Sequence, residues 1–430
     1  MRVRLAVFLA VILTSGLLAV LLSGGKPAPA GCPALTTAPP DSAGLAADTL
    51  ALMDTLIAHA IRAQAMPGCR VLVARDGRIV WNKAYGYLTY DSLVPVTRHT
   101  YYDLASLTKV LATTPAIMHL YEHGRIRLGD PLSNYLLYLF NTDKAAITIR
   151  QTLAHQADLY PYLPFWQYAL EAGMLTTDSS HLIWQQPALR DSILHWAATS
   201  PLFSAVVDSV NHAQYMYSDL GFIFLQDLVE RQSGLPLDSL VERLFYRPLN
   251  IGLRFNAWRT LPADSIAPTY DRELRNQKLQ GVVHDQNTAL LGGVGGQAGL
   301  FGRARDVAVM LQMMLQKGCY DNKRYFSEKT VNTFLQRPYQ HNRRSLGWDR
   351  PGPEANGPVS RLASDSTFGH SAFTGCSIWA DPQEKLIFVF LANRIYPDDR
   401  HNKLADMNIR TRIQDLVYRA LINRKTPIEK

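Results

Sequence analysis

The stretch Tyr101-Tyr102-Asp103-Leu104-Ala105-Ser106-Leu107-Thr108-Lys109 sets a serine and a lysine three residues apart in mostly apolar surroundings, and Val110-Leu111-Ala112 continues them. Residues at that spacing share one face of a helix. The ammonium then lies beside the hydroxyl, a pairing that turns a weak alcohol into a nucleophile. Ser-x-x-Lys alone has little specificity, because composition supplies roughly two such matches in a chain of this length. The plain structural alternative is a helix-start serine with a solvated lysine. The apolar neighbours argue against it, since a buried lysine needs a reason. At a helix N-terminus the free amides and the dipole also favour negative charge on Ser106.

Two later segments extend this reading. Tyr217-Ser218-Asp219 can be taken in two ways. As Tyr-x-Asp, the phenol of Tyr217 sits near Lys109, whose charge lowers its pKa and makes it a general base. As Ser-Asp, Ser218 shuttles the proton, but Leu220 stands where that motif wants an asparagine, which favours the first. The structural alternative is a core tyrosine and an aspartate capping a helix over residues 220–232. His370-Ser371-Ala372 precedes Phe373-Thr374-Gly375 and a strand. Edge-strand backbone groups align a substrate amide there, and the amides of Ser106 and Phe373 are expected to form an oxyanion hole. Asp219 and His370 are expected to orient the substrate, Ser371 lying beside them on the strand. His370 is half-charged at best at neutral pH, so its grip on a carboxylate should strengthen as pH falls. Its alternative is a loop histidine capping a turn. Order and spacing together predict a serine hydrolase working through an acyl-enzyme, with no metal or cofactor.

Around these motifs the chain alternates regularly. Residues 48–65 read as an amphipathic helix ended by Pro67-Gly68. Residues 69–75 and 78–87 are apolar and β-branched, joined by Asp76-Gly77, a hairpin signal. Residues 106–123 read as a helix that Pro115 kinks or restarts. The pattern is then mostly helical to about residue 275, and Gly292 to Gly296 reads as a flexible turn. A helix over 304–317 ends at Gly318. Residues 376–380 and 386–392 read as two buried strands, and 408–422 as a closing helix. The expected fold is α/β (α+β): an antiparallel sheet from both chain ends, flanked by helices (about 46–115 and 285–425), with an all-helical lobe inserted at about 116–284.

Composition narrows the function classes. The 430 residues carry 47% hydrophobic and 19% charged side chains, an ordinary globular balance. The formal charge of +8 comes without a lysine/arginine run or an aromatic-basic ladder, which argues against nucleic acid as a partner. The twelve histidines form no H-E-x-x-H or H-x-H cluster, so no zinc site is visible. Gly369-His370-Ser371-Ala372-Phe373 starts like a nucleophile elbow but has Phe373 in the last glycine position. Arg2 and Arg4 precede an apolar run over residues 5–22, and Ala28-Pro29-Ala30 offers a cleavage pattern. Residues 1–30 therefore read as a signal peptide or a retained membrane anchor, with Ala30-Gly31-Cys32 as a loose lipoprotein box. Either way the chain is expected to be exported to the periplasm or cell envelope, with membrane contact only through this segment. Residues 31–45 read as a Pro/Ala-rich tether, and 46–425 as the catalytic domain. Cys32, Cys69, Cys319 and Cys376 show no paired spacing and read as buried free thiols.

With these residues in place, the chain resembles the serine β-lactamase and penicillin-binding superfamily on its class C side, from about residue 50 to 421. Ser106 and Lys109 match the nucleophile motif, Tyr217 and Asp219 the Tyr-x-Asn motif, and His370-Ser371-Ala372 the Lys/His-Thr/Ser-Gly motif. Residues 147–155 resemble the family's I-T-I-R-x-L-L-x-H segment, and 283–287, 298–301 and 346–349 resemble a bacterial envelope subgroup, which implies a cell-wall role and a peptidoglycan-derived peptide or small-molecule substrate. The resemblance implies an esterase or D-Ala-D-Ala carboxypeptidase-like activity. Asp219 for asparagine, Ala372 for glycine and Gln297 for histidine depart from the pattern and predict poor penicillin hydrolysis. Asp219 and Ala372 also fit a rival reading, an envelope binding or sensor protein that keeps the fold without turnover.

Overall fold

The computed structural model describes residues 31–175, 187–204, 215–352 and 357–422. The targeting reading of residues 1–30 falls outside them. Six strands form the main sheet: β1 (Thr36–Thr37), β2 (Gly68–Arg75), β3 (Arg78–Gly86), β4 (Phe368–Ser371), β5 (Ser377–Asp381) and β6 (Leu386–Ala392). Their spatial order is β1-β3-β2-β6-β5-β4. The β2–β3 hairpin turns at Asp76 and Gly77, both at positive φ (54° and 73°), as a tight primed turn requires. β2 then pairs antiparallel with β6, Cys69 opposite Ala392 and Arg75 opposite Leu386, so both ends of the chain close one sheet. β1 runs parallel to β3, which makes the sheet mixed where a wholly antiparallel one was expected.

Among the described residues three longer helices flank it, α1 (Ala47–Arg62), α4 (Ala304–Leu315) and α5 (Ile409–Arg419), while α2 (Thr114–Glu122) and α3 (Leu220–Ser233) pack against each other. Side chains alternate across the sheet. Val71, Val73, Phe388 and Phe390 face α1 and α5, packing with Met53, Ile57, Ile413 and Val417. Leu72, Ile387, Val389 and Leu391 face the other way, into the core shared with Val307 and Leu311 of α4. Burial on both faces explains why β2 and β6 are nearly unbroken apolar runs.

Four expectations need correction. Residues 31–45 are not a free tether: Cys32 forms a disulfide with Cys319 (Cα–Cα 5.9 Å), and Leu35, Ala43 and Leu45 are buried. Cys32 and Cys319 are therefore not free thiols, whereas Cys69 and Cys376 are free and buried. The inserted lobe is not all-helical: Thr269–Asp271 pairs antiparallel with Gln277–Leu279. The Asp271 carboxylate collects the backbone N–H groups of Glu273, Leu274 and Arg275 in that turn, and pairs with the buried Arg275. Finally, Gly292 to Gly296 packs tightly rather than flexing. A Cβ at Gly296 would lie 2.1 Å from the carbonyl of Phe222, and the Gly296 N–H donates to Gln226 (2.8 Å).

The segment read as one helix over 106–123 is three pieces. A single 3-10 turn covers Ala105–Leu107, a wider turn covers Lys109–Thr113, and α2 begins at Thr114 with Pro115 in its first turn. Pro115 has no N–H to offer the carbonyl of Leu111, four residues back. The buried Tyr246 hydroxyl donates to that carbonyl instead, at 3.0 Å.

Candidate active site

Ser106 lies just inside the 3-10 turn, where backbone N–H groups have no partner within the helix. The residue before it, Ala105, has φ +41°, a left-handed conformation costly for alanine. Asp103 holds the turn there. Its Oδ1 accepts from the Ala105 N–H and its Oδ2 from the His284 N–H, both at 2.8 Å. Its carbonyl accepts from Thr374 Oγ1 at 2.8 Å. One buried residue, through its carboxylate and its carbonyl, thus ties the nucleophile turn to two other segments, and burial pushes the carboxyl pKa up to about 6.

Lys109 is fully buried. Its Nζ donates to Ser106 Oγ at 3.2 Å and to the Gln297 carbonyl at 3.0 Å, and it forms an ion pair with Asp219 Oδ1 at 2.6 Å. An ammonium has donors and no acceptor, which suits these partners. Burial pushes the lysine pKa down, but the Asp219 charge opposes burial and the net direction is up. The Gln297 carbonyl is set by its own side chain, whose Nε2 donates to Thr288 Oγ1 (2.9 Å) and to Asp285 (3.2 Å).

Tyr217 donates its phenol to Ser106 Oγ at 2.9 Å. Its ring lies 4.5 Å from the buried ring of His155, whose Nδ1 accepts the Ser218 N–H at 3.1 Å. The charge of Lys109 pulls the Tyr217 pKa down, as expected, yet the net direction is up. Burial, reinforced by the Asp219 charge, pushes the phenol up further than Lys109 pulls it down. Asp219 lines the cleft as expected of a residue beside the substrate. It pairs with Lys109, and its side chain makes no cap to α3, which starts beside it.

His370 is buried on β4, with Nδ1–H donating to the Ser371 carbonyl at 2.7 Å. Burial first, then the charges of Arg344 and Lys109, push its pKa well below the ordinary range. His370 is therefore neutral at physiological pH, and the expected pH-dependent grip on a carboxylate is not available to it. Ser371, Ala372 and Phe373 line the same cleft as Ser106, Tyr217 and Asp219, a cavity of about 960 Å³. Phe373 is exposed. Ser106 and Phe373 thus line one cleft.

The sequence reading assigned no role to Asp103 or Arg344. Arg344 donates to the Tyr215 hydroxyl at 2.9 Å, pairs with Asp349 at 3.3 Å, and lies 5.3 Å from the Tyr217 ring centre. Arg343 also grips Asp349, at 2.7 and 3.1 Å. No motif marks these groups.

Comparison with known proteins adds the following. The family profile described as Beta-lactamase matches residues 53–410, a span that contains every residue named above at the cleft. A protein of Salmonella schwarzengrund named "Putative D-alanyl-D-alanine carboxypeptidase" is 32% identical over 392 residues, covering 84% of this chain and 86% of its own. Among solved structures, the chain is similar to EstCE1, described as a hydrolase with promiscuous acyltransferase activity (TM-score 0.65, 21% identity, 86% of this chain and 99% of that one). It is also similar to a penicillin-binding protein homologue from Caulobacter crescentus (TM-score 0.64, 17% identity, 88% and 99%).

Proposed function

We propose, from the premise that this chain belongs to the β-lactamase family and is a serine hydrolase of it, that Ser106 carries a covalent acyl intermediate from an ester or peptide amide. The observation that supports this most is that Ser106 Oγ accepts from both Lys109 Nζ and Tyr217 Oη within one cleft. In the proposed reaction the Tyr217–Lys109 pair first loses one proton to solvent; Ser106 Oγ then attacks a carbonyl carbon while its own proton passes to that pair. The pair titrates as a unit, so the base belongs to both groups. The amides of Ser106 and Phe373 receive the oxyanion. The leaving group departs with the proton, and water then attacks the acyl ester along the same route.

A peptidoglycan-derived peptide is the proposed natural substrate, supported by the carboxypeptidase name of the relative. Export to the cell envelope is supported by the Cys32–Cys319 disulfide, since such bonds persist in oxidising compartments. The reading is tested by hydrolysis of an activated ester. Ser106→Ala should lower kcat by at least about 10³-fold; an unchanged rate would remove Ser106 as nucleophile. A binding protein without turnover is the second reading, favoured by the Lys109–Asp219 pair, which holds the lysine protonated and so unable to act as a base. An acyl adduct that forms and never hydrolyses would select it.

A further inference from the structure

Tyr217 reaches Ser106 from an irregular segment, and His155 grips that segment on both sides of it. The His155 carbonyl accepts the Met216 N–H at 2.9 Å, and its Nδ1 accepts the Ser218 N–H at 3.1 Å. Between those two bonds the imidazole lies against the Tyr217 ring, 4.5 Å centre to centre and 31° from parallel. The Phe222 ring of α3 lies 5.4 Å from it at 32°. The bond to Ser218 also fixes the tautomer. An N–H donor needs a lone pair on Nδ1, so the neutral ring carries its proton on Nε2. Burial first, then the charges of Arg344 and Lys109, push the His155 pKa well below the ordinary range, which keeps that lone pair free for Ser218. Nε2 is buried and has no hydrogen-bond partner among the described residues, so the ring spends its one hydrogen bond on the Tyr217 segment.

The backbone at His155 is strained to make this grip. Its φ is +53°, in the left-handed region, a conformation that persists only where the surroundings over-determine it. Here the Leu153 carbonyl accepts the Gly347 N–H at 2.9 Å, and the Ala154 carbonyl accepts from Asn342 Nδ2 at 2.8 Å. Past Tyr217 the segment has anchors of its own. Ser218 Oγ donates to the Tyr160 carbonyl at 2.6 Å, and the Asp219 N–H donates to the Pro161 carbonyl at 2.9 Å. Those bonds hold the entry to α3 without help from the imidazole. What the imidazole adds is the placement of the phenol, whose hydroxyl reaches Ser106 Oγ at 2.9 Å. His155 itself is 2% exposed and does not line the cleft. We infer that His155 is a positioning residue of the reaction, which holds the Tyr217 phenol on Ser106 through its ring and Nδ1 without touching substrate. This rests on the acyl-enzyme reading and deepens it.

The test is a double-mutant cycle on hydrolysis of a neutral activated ester, with rates taken per native protein from the amplitude of the thermal unfolding transition. His155→Phe keeps an aromatic ring and removes the acceptor. His155→Asn removes the ring and keeps an acceptor where Nδ1 stands. With Tyr217 present, His155→Phe should lower kcat about 10²-fold with little change in KM, the scale of a reacting group misplaced by ~1 Å. His155→Asn should recover about tenfold of that loss, because the Ser218 N–H regains its partner. In the Tyr217→Phe background each change should cost less than about threefold, since no phenol is left to position. A loss of the same size in both backgrounds overturns the positioning role and leaves a structural one. An unchanged rate in His155→Phe, or His155→Asn no more active than His155→Phe, overturns it as well. Turnover that survives Ser106→Ala would instead overturn the acyl-enzyme reading, so the two failures are distinguishable.

Discussion

At Asp219 a carboxylate sits 2.6 Å from the buried lysine that also reaches the nucleophile. Its charge favours the ammonium form of Lys109 and disfavours the phenolate of Tyr217, so it raises both pKa values. Asp219→Asn removes both effects. The alkaline rise of kcat/KM, which follows loss of a proton from the pair, should move to lower pH in that variant. A full pH–rate profile on a neutral ester checks it; a rise at the same or higher pH would remove Asp219 as the counterion. Ser106, Lys109 and Tyr217 were legible because a hydroxyl, an amine and a phenol in that order carry their chemistry in their identity. The partner of Asp219 was not, because it depends on which way a side chain turns in the folded cleft. The same applies to His370: its type is readable and its burial is not, and burial decides its charge.

Among the elements, the stretch from Ala105 to Glu122 shows how a local rule and a distant contact combine. Pro115 made a break predictable. What the break leaves open, the Leu111 carbonyl, is closed by Tyr246, 135 residues away. Tyr246→Phe leaves that buried acceptor without its donor and should cost about 1–3 kcal/mol. Urea unfolding of the variant measures it, and an unchanged midpoint would show that the carbonyl finds another donor. The hairpin at Asp76-Gly77 and the apolar runs of β2 and β6 were readable from turn chemistry and periodicity. The ribbon at Thr269–Asp271 was not, because it is held by a buried Asp271–Arg275 pair and by backbone bonds to that carboxylate rather than by apolar alternation.

Across the whole molecule, early and late segments of the chain are joined. β2 and β6 join them in the sheet, and the Cys32–Cys319 disulfide spans 287 residues. Both-ends pairing could be anticipated from strands at the two termini. The disulfide could not, since four widely spaced cysteines give no hint of which are neighbours. Cross-linking across so long a loop restricts the unfolded chain, so Cys32→Ser should cost about 2–4 kcal/mol of stability. Thermal unfolding with and without reductant tests this: reduced wild type should fall to the Tm of the variant, and equal Tm values throughout would show that the bond contributes nothing. The sheet in turn sets the cleft, bringing β4 and the segments around Ser106 and Tyr217 to one cavity. The account's central claim is that these groups cooperate in covalent attack, and intact-protein mass spectrometry with an activated acyl ester tests it most directly. It predicts one added acyl group, mapped to the peptide containing Ser106, absent from Ser106→Ala and decaying as water deacylates it. An adduct on another residue, or none in folded protein, would contradict it.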